Sequence, residues 1–510
     1  MEEKQLLLRA EIDEEEWEKT PPSVKRAFVR LLKELEELKE QEKKLAQEKE
    51  GLEEKVNQNS SNSHSPPSSQ LIKPQTKEEK KKTGKKRGGQ PGHLGYSRYL
   101  YPVESCQLVR DYHPSNCSCC GEALLGSDPN PYRHQIVEVP PIQPRIEEHR
   151  LHQLECEKCG QKNRAKLPPE VESSGYGSRA VSMVAVLSGM YHLSHRQIVT
   201  AMSDLFGVKM GLGSVTSLRS EGSRAIEKAV VEAQEYIQRQ PIVGADETGF
   251  SQKNADGQNG KKQTAWIWVA VTPLVSYFSI ILSRAASAAK TVLGENFRGY
   301  LNCDRYGAYN WLSVEQKQFC WAHLKREFTK ISERTGVAGE LGKALLVEEK
   351  KLFELWYQVR DGTKTHATFA LEVEPIRAAF QVLLQQGAEY AIGSREKTPL
   401  AKTVRTCRQL LKAESALWLF VRVEGLEPTN NAAERAIRPA VLWRRVSFGS
   451  QSEAGSLFVA RMLTVVTSLR SQNRNVLEFM TEAILAARRG TSSPSLLPQS
   501  EPLESISVAA

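Results

Sequence analysis

From residue 24 the apolar positions recur every seven: Val24, Leu31, Leu38, Leu45 and Leu52. A second seam runs through Phe28, Leu35, Glu42, Lys49 and Val56. This spacing predicts a long helix over 1–56 that self-associates as a coiled coil, its two polar seam positions setting register. A solvated helix packing on its own body is the competing reading. Residues 57–98 show no period and are Ser/Asn/Pro-rich and then basic, so a disordered linker is expected. Helical periodicity returns over 171–240 and breaks at Gly207–Gly213. A helix-turn-helix with its second helix opening near Ser214 fits that break, and so does a plain helical bundle.

From 241 the period changes. PIVGADETG reads as a short strand, and 264–273 with 275–284 as a hairpin around Pro273. A helix over 285–296, a strand in 298–309 ending on Asp304, and a strand passing into a helix over 317–328 complete a mixed α/β sheet. EPTNNAAERAIRP, 427–439, is expected to be a helix capped by Thr429 or Asn430 and ended or kinked at Pro439.

Length and charge refine this picture. A chain of 510 residues implies several domains. It lacks an apolar run long enough to span a bilayer, and its acidic N-terminus has no signal-peptide character, so a cytoplasmic protein without membrane contact is expected. The net charge is +9, yet residues 1–56 hold 12 Lys/Arg against 17 Asp/Glu, leaving +14 on the remainder. A basic body on an acidic arm favours a polyanionic partner. Lys80, Lys81, Lys82, Lys85, Lys86 and Arg87, just before GGQPGHLG, form an arm suited to a phosphate backbone.

Four of the nine cysteines form two C-x-x-C pairs, Cys117 with Cys120 and Cys156 with Cys159, each followed by glycine. That pattern points to one closed, structural Zn2+ in a zinc-ribbon-like unit over 99–170. Cys119 is an alternative ligand in the first pair. A redox dithiol would leave the second pair without a purpose.

Asp246 and Asp304 fall at strand ends, and Glu434 lies inside the helix that follows, with Asn430, Asn431 and Arg438 near it. Each alone is more often a surface acid. Three convergent carboxylates repel one another unless cations lie between them, which suits two Mg2+ (or Mn2+) ions acting on a phosphodiester. Glu247, adjacent to Asp246, must point to the opposite face of a regular strand. Arg435, Arg438, Arg444 and Arg445 follow the glutamate as candidate phosphate contacts. Trp443 is expected in the core rather than stacked on a base.

The stretches DETG, CDRYGAY, CWAHLKREF and EPTNNAAERAIRPAVLWRRVSFGSQSEAG, with the heptad helix, the GGQPGHLG hinge and the zinc knuckles, resemble the insertion-sequence-66 family of DDE transposases. The resemblance spans nearly the whole chain. It implies a ribonuclease-H-like core in two parts, 241–325 and 426–490, interrupted by a helical insertion over 326–425, with a disordered tail over 491–510. It implies Asp246, Asp304 and Glu434 as catalytic triad and Mg2+ ligands, cleavage at the element's ends to expose 3′-hydroxyls, and joining to target DNA. The spacings of 58 and 130 residues between the three acids agree with such an insertion. Cys320 and His323 match a C-x-x-H signature that follows the second aspartate in such proteins, for which a structural or DNA-orienting role is expected. Double-stranded DNA, namely the terminal inverted repeats and the target, is the implied partner, with a homo-oligomer and small accessory proteins of the same element. A nuclease without strand transfer and a non-catalytic zinc-ribbon repressor are the competing functions.

Overall fold

The computed structural model describes residues 17–56, 58, 59, 62, 98–168, 171, 172, 174–261 and 263–498. The basic arm Lys80–Arg87 and the GGQPGHLG hinge lie outside these residues. The heptad segment is one helix, α1 (Pro22–Val56). Its leucines Leu31, Leu38, Leu45 and Leu52 are 54–66% exposed, so they form no part of the body's core. The helix is tied down at its far end. Glu54 pairs with Arg334 at 2.7 Å and Lys330 at 3.6 Å, and also with Lys402. Burial alone would raise this carboxyl, but hydrogen bonds from Lys402 and Arg334 hold it at about 2.

The zinc-knuckle segment contributes one hairpin, β1 (Gln153–Glu155) with β2 (Lys162–Arg164). Four helices follow: α2 (Ser178–Gly189), α3 (His195–Phe206), α4 (Leu212–Ala225) and α5 (Glu227–Gln238). The first break, at Met190–Ser194, is absent from the periodicity. It is imposed by a capping box in which Ser194 accepts from the Gln197 N–H while the Gln197 side chain reaches back. Val181, Val184, Ile198, Met202, Val215 and Leu218 give this bundle its own small core.

The sheet is built from β3 (Ile242–Phe250), β4 (Ala265–Val271), β5 (Ser276–Ile281), then helix α6 (Ala286–Leu293), β6 (Tyr300–Cys303) and β7 (Lys317–Phe319). The strand order is β5-β4-β3-β6-β7, antiparallel on the hairpin side and parallel from β3 through β6 to β7. Helices α7 (Trp321–Ser332), α8 (Gly336–Arg360), α9 (His366–Glu372), α10 (Glu374–Glu389), α11 (Pro399–Lys412), α12 (Glu414–Leu417) and α13 (Leu419–Arg422) then form a helical unit. Trp321 stacks edge-on against Phe380 and Trp418 at its centre, and donates from its indole to Leu417 O at 2.8 Å. The chain returns through α14 (Asn431–Ser447), α15 (Glu453–Ser471) and α16 (Val476–Arg489).

Two devices finish the sheet. Edge strand β5 would expose unpaired N–H groups. Instead, the Ser276 N–H donates to Ser468 Oγ at 3.0 Å and the Phe278 N–H to Thr464 Oγ1 at 2.9 Å, both hydroxyls on α15. The segment after α16 also departs from expectation. Residues 491–498 are packed rather than disordered: Leu496 is fully buried and the Ser495 hydroxyl donates to Glu232 at 2.8 Å. The remainder, 499–510, lies outside the described residues.

Candidate active site

Strand β3 alternates, with Val243, Ala245 and Glu247 buried and Gly244, Asp246 and Thr248 on the face toward α14. Gly244 is required there, since a Cβ would stand 2.9 Å from Asn430 Oδ1. In the parallel register Gly244 pairs with Asn302. Asp246 and Asp304 therefore each lie two residues beyond a matched pair on neighbouring strands.

The loop ahead of α14 is clamped from three sides. Asn430 Nδ2 donates to Ala245 O at 2.7 Å, Asn302 Nδ2 to Glu427 O at 2.7 Å and Thr429 O at 3.1 Å, and the Trp321 N–H to Pro428 O at 3.0 Å. The Asn430 side chain thus serves the sheet and not the helix cap expected of it. Asn431 is exposed. Helix α14 does not end at Pro439 but continues through it to Ser447, because Ala433, Ile437, Ala440 and Trp443 hold its inner face in the core. That packing outweighs the one backbone hydrogen bond proline removes.

These constraints put Glu434 over Asp304, just past the end of β6, and over Asp246. Asp246 lies in the middle of β3 and not at the strand end expected of it, because pairing with β4 carries the strand on to Phe250. It is half-buried, and its desolvation beneath α14 pushes its carboxyl up to about 8. The charges of Glu247, Asp304 and Glu434 add to the rise, against one hydrogen bond from the Glu247 N–H. Glu434 is raised by burial and by Asp304, opposed by Arg326. Its Oε1 is buried without a hydrogen bond, 3.6 Å from His323 Nδ1, and its Oε2 lies 3.9 Å from Arg326. Asp304 Oδ1 accepts from the Tyr306 N–H at 2.8 Å.

Glu247, next to Asp246 in the middle of β3, does structural work on the far face. Arg284 grips its Oε1 at 2.7 and 3.1 Å, and the Tyr309 hydroxyl donates to Oε2 at 2.9 Å. The guanidinium lies over Trp266 and Tyr306, 4.4 and 3.8 Å from their ring centres. Removing it by Arg284→Ala leaves a buried carboxylate with only the Tyr309 hydroxyl and no opposite charge. A loss of about 2–4 kcal/mol is expected in urea unfolding, growing with pH as Glu247 ionises.

Among the expected arginines, Arg435, Arg438 and Arg445 are exposed along α14. Arg444 turns inward instead, donating to Thr248 Oγ1 at 2.8 Å and to Gly249 O. Trp443 is buried, as expected.

The knuckle turns are built alike. The Gly121 N–H returns to Cys117 O and the Gly160 N–H to Cys156 O, both glycines at positive φ, 77° and 71°. Backbone N–H groups of Cys120 and Cys119 lower the Cys117 thiol, and those of Cys159 and Lys158 do the same for Cys156. Cys119 therefore occupies the place of Lys158. The two pairs stand apart, for among the described residues the one set of three potential metal donors within 4.8 Å is Cys320, His323 and Glu434. Cys320 is buried at the start of α7, which pushes its thiol up to about 11 although backbone N–H groups point at the sulfur.

The family model described as "Transposase IS66 family" matches residues 173–457. The chain belongs to that family. A zinc-finger binding domain of transposase IS66 matches residues 114–160, and a family of unknown function (DUF6444) matches 14–99. Membership in the IS66 family marks a nucleic-acid-processing enzyme, with DNA as its partner and structural zinc in the knuckle unit. Two similar proteins come from Sinorhizobium fredii (strain NBRC 101917 / NGR234). The uncharacterized protein y4qI is 23% identical over 418 residues, covering 78% of this chain and 74% of the relative. The uncharacterized protein y4hP is 23% identical over 387 residues, covering 70% and 68%. No helix among the described residues of this IS66 chain is long and apolar enough to cross a membrane.

Proposed function

We propose that this chain is a DDE transposase with a ribonuclease-H-like core, using Asp246, Asp304 and Glu434 to cleave the ends of its element and join them to target DNA. The supporting observation is the convergence of three half-buried, mutually repelling carboxylates where two parallel strands and a clamped helix meet. Their oxygens fit a hard cation. Asp246, held near 8 without one, gains most from its arrival. When bound, Mg2+ or Mn2+ would activate the attacking water or 3′-hydroxyl and stabilise the leaving oxygen.

The protein's own groups do the rest. The Asn302 and Asn430 bonds keep Glu434 in register with β3 and the end of β6, so the carboxylates need little rearrangement. Arg435, Arg438 and Arg445 offer guanidiniums to the backbone on one side of the scissile phosphate. Arg326, beside Glu434, balances negative charge when no cation is bound. The zinc unit and the helices α2–α5 carry DNA contacts, and the leucine stripe of α1 pairs with a second copy. In this reading the domain boundaries are those of the sequence patterns, except that packed structure continues to residue 498.

The test is a plasmid carrying the element's own ends, incubated with the full chain, any accessory proteins of the element and Mg2+. Nicks bearing 3′-hydroxyls followed by joined products are expected. Cleavage without joining favours a nuclease. Binding with neither reaction favours a repressor.

A further inference from the structure

The start of α7 and the start of α14 meet at a group of unlike donors. Cys320 occupies the N-cap position of α7 and His323 its third residue, so both face one side of the first turn. Glu434 lies in the first turn of α14. One ligating atom from each, Sγ, imidazole N and carboxylate O, falls within 4.8 Å of the others, with His323 Nδ1 and Glu434 Oε1 3.6 Å apart.

We propose that Cys320, His323 and Glu434 bind one Zn2+ ion, a site distinct from the cysteine knuckles and sharing only Glu434 with the carboxylate centre. The donor set is sulfur, nitrogen and oxygen, the mixture that zinc accepts and that Mg2+ and Ca2+ do not select. The sulfur is prepared for a cation. The Asn430 N–H reaches it at 3.1 Å, and the N–H groups of Ala322 and His323 also point at it. Donors converging at a helix start suit a sulfur carrying negative charge, as a metal-bound thiolate does. The carboxylate is prepared as well, because Glu434 Oε1 is buried without a hydrogen bond.

The ligands are also held rigidly. The Trp321 N–H bond to Pro428 O and the Asn430 N–H bond to Cys320 Sγ lock the two helix starts together. Three protein ligands leave a fourth tetrahedral position, and the partial exposure of His323 and Glu434 opens it toward solvent. A cation here would draw Glu434 Oε1 toward the α7 side of the cleft. The site itself needs no part of the transposase mechanism, although its bearing on Glu434 rests on that reading.

The test is a zinc count on full-length protein dialysed against Zn2+, without DNA or Mg2+, comparing wild type with Cys320→Ser and His323→Ala. Each variant is expected to hold one zinc fewer per chain. With Co2+ in place of Zn2+, the wild-type-minus-Cys320→Ser spectrum should show a thiolate-to-cobalt charge-transfer band. His323→Ala, at a partly exposed position, serves if Cys320→Ser does not fold. Equal zinc in wild type and a folded variant overturns the proposal, whatever the plasmid assay shows. Failure to cleave the plasmid, with the zinc difference intact, overturns the transposase reading alone.

Discussion

Asp246→Asn is expected to lower Mg2+-dependent cleavage by on the order of 10³-fold or more while DNA binding persists, since several kcal/mol of charge stabilisation are lost. The same change should stabilise the metal-free protein at high pH. In the fold the Asp246 carboxyl is held at about 8, against a usual 3.8. Between those values the native state keeps a proton that the unfolded chain has released. The contribution of Asp246 to wild-type stability therefore falls as pH rises from about 4 to about 8, each unit being worth about 1.4 kcal/mol at most. Asparagine carries no such proton, so the variant should melt at the higher temperature at pH 8 and match wild type near pH 4. Mg2+ should raise the wild-type melting temperature at pH 8 and leave the variant unmoved. Full cleavage by the variant would sink the triad. Coincident melting curves at pH 8 would sink the burial argument.

Cys117→Ser and Cys156→Ser are each expected to release the knuckle zinc and unfold residues 98–168. The reason is the burial profile, because no side chain among these residues is buried. A segment with so little apolar core depends on its metal, and structural zinc supplies apparent binding energies of about 10–16 kcal/mol near neutral pH. The matched turns at Cys117–Gly121 and Cys156–Gly160 present two thiol pairs that the ion would draw together. Zinc analysis with limited proteolysis gives the readout: new cuts within 98–168 and loss of binding to the element ends. Cys119→Ser should keep both zinc and protection, because Cys119 occupies the place of Lys158. Acid should mimic the serine changes, since protonated thiols release zinc. If Cys117→Ser kept its zinc and its protease resistance, the ligand assignment would fail.

Much of the sheet was legible locally. The runs over 264–273 and 275–284 alternate or run apolar, and the observed strands lie inside them at 265–271 and 276–281. Asp304 falls one residue past β6, where the pattern ended the strand. The capping box at Ser194 and Gln197 was also written in the chain, as S-x-x-Q, but was masked by the apolar run around it. Other features had no local signal. Pro439 was expected to end or kink α14, and only the buried face of that helix explains why it does not end there. Arg444 reads as one more surface cation until Thr248, 196 residues away, claims it. Glu247 shows no sign of Arg284 or Tyr309 in its own neighbourhood.

The sequence by itself determined which residue types stand at helix starts and knuckle turns and placed Asp304 at a strand end, because period and turn chemistry act over a few residues. It also determined that Asp246 and Glu247 face opposite ways, since a strand repeats every two residues. The extent of β3 beyond Asp246, by contrast, was set by its pairing with β4. Only the tertiary structure decided what each acid meets. Asp246 looks toward Asp304 and Glu434, Glu247 is neutralised by Arg284, and Glu434 lies beside Cys320 and His323. Those meetings join positions up to 188 residues apart, and packing and desolvation, which act through space, set them.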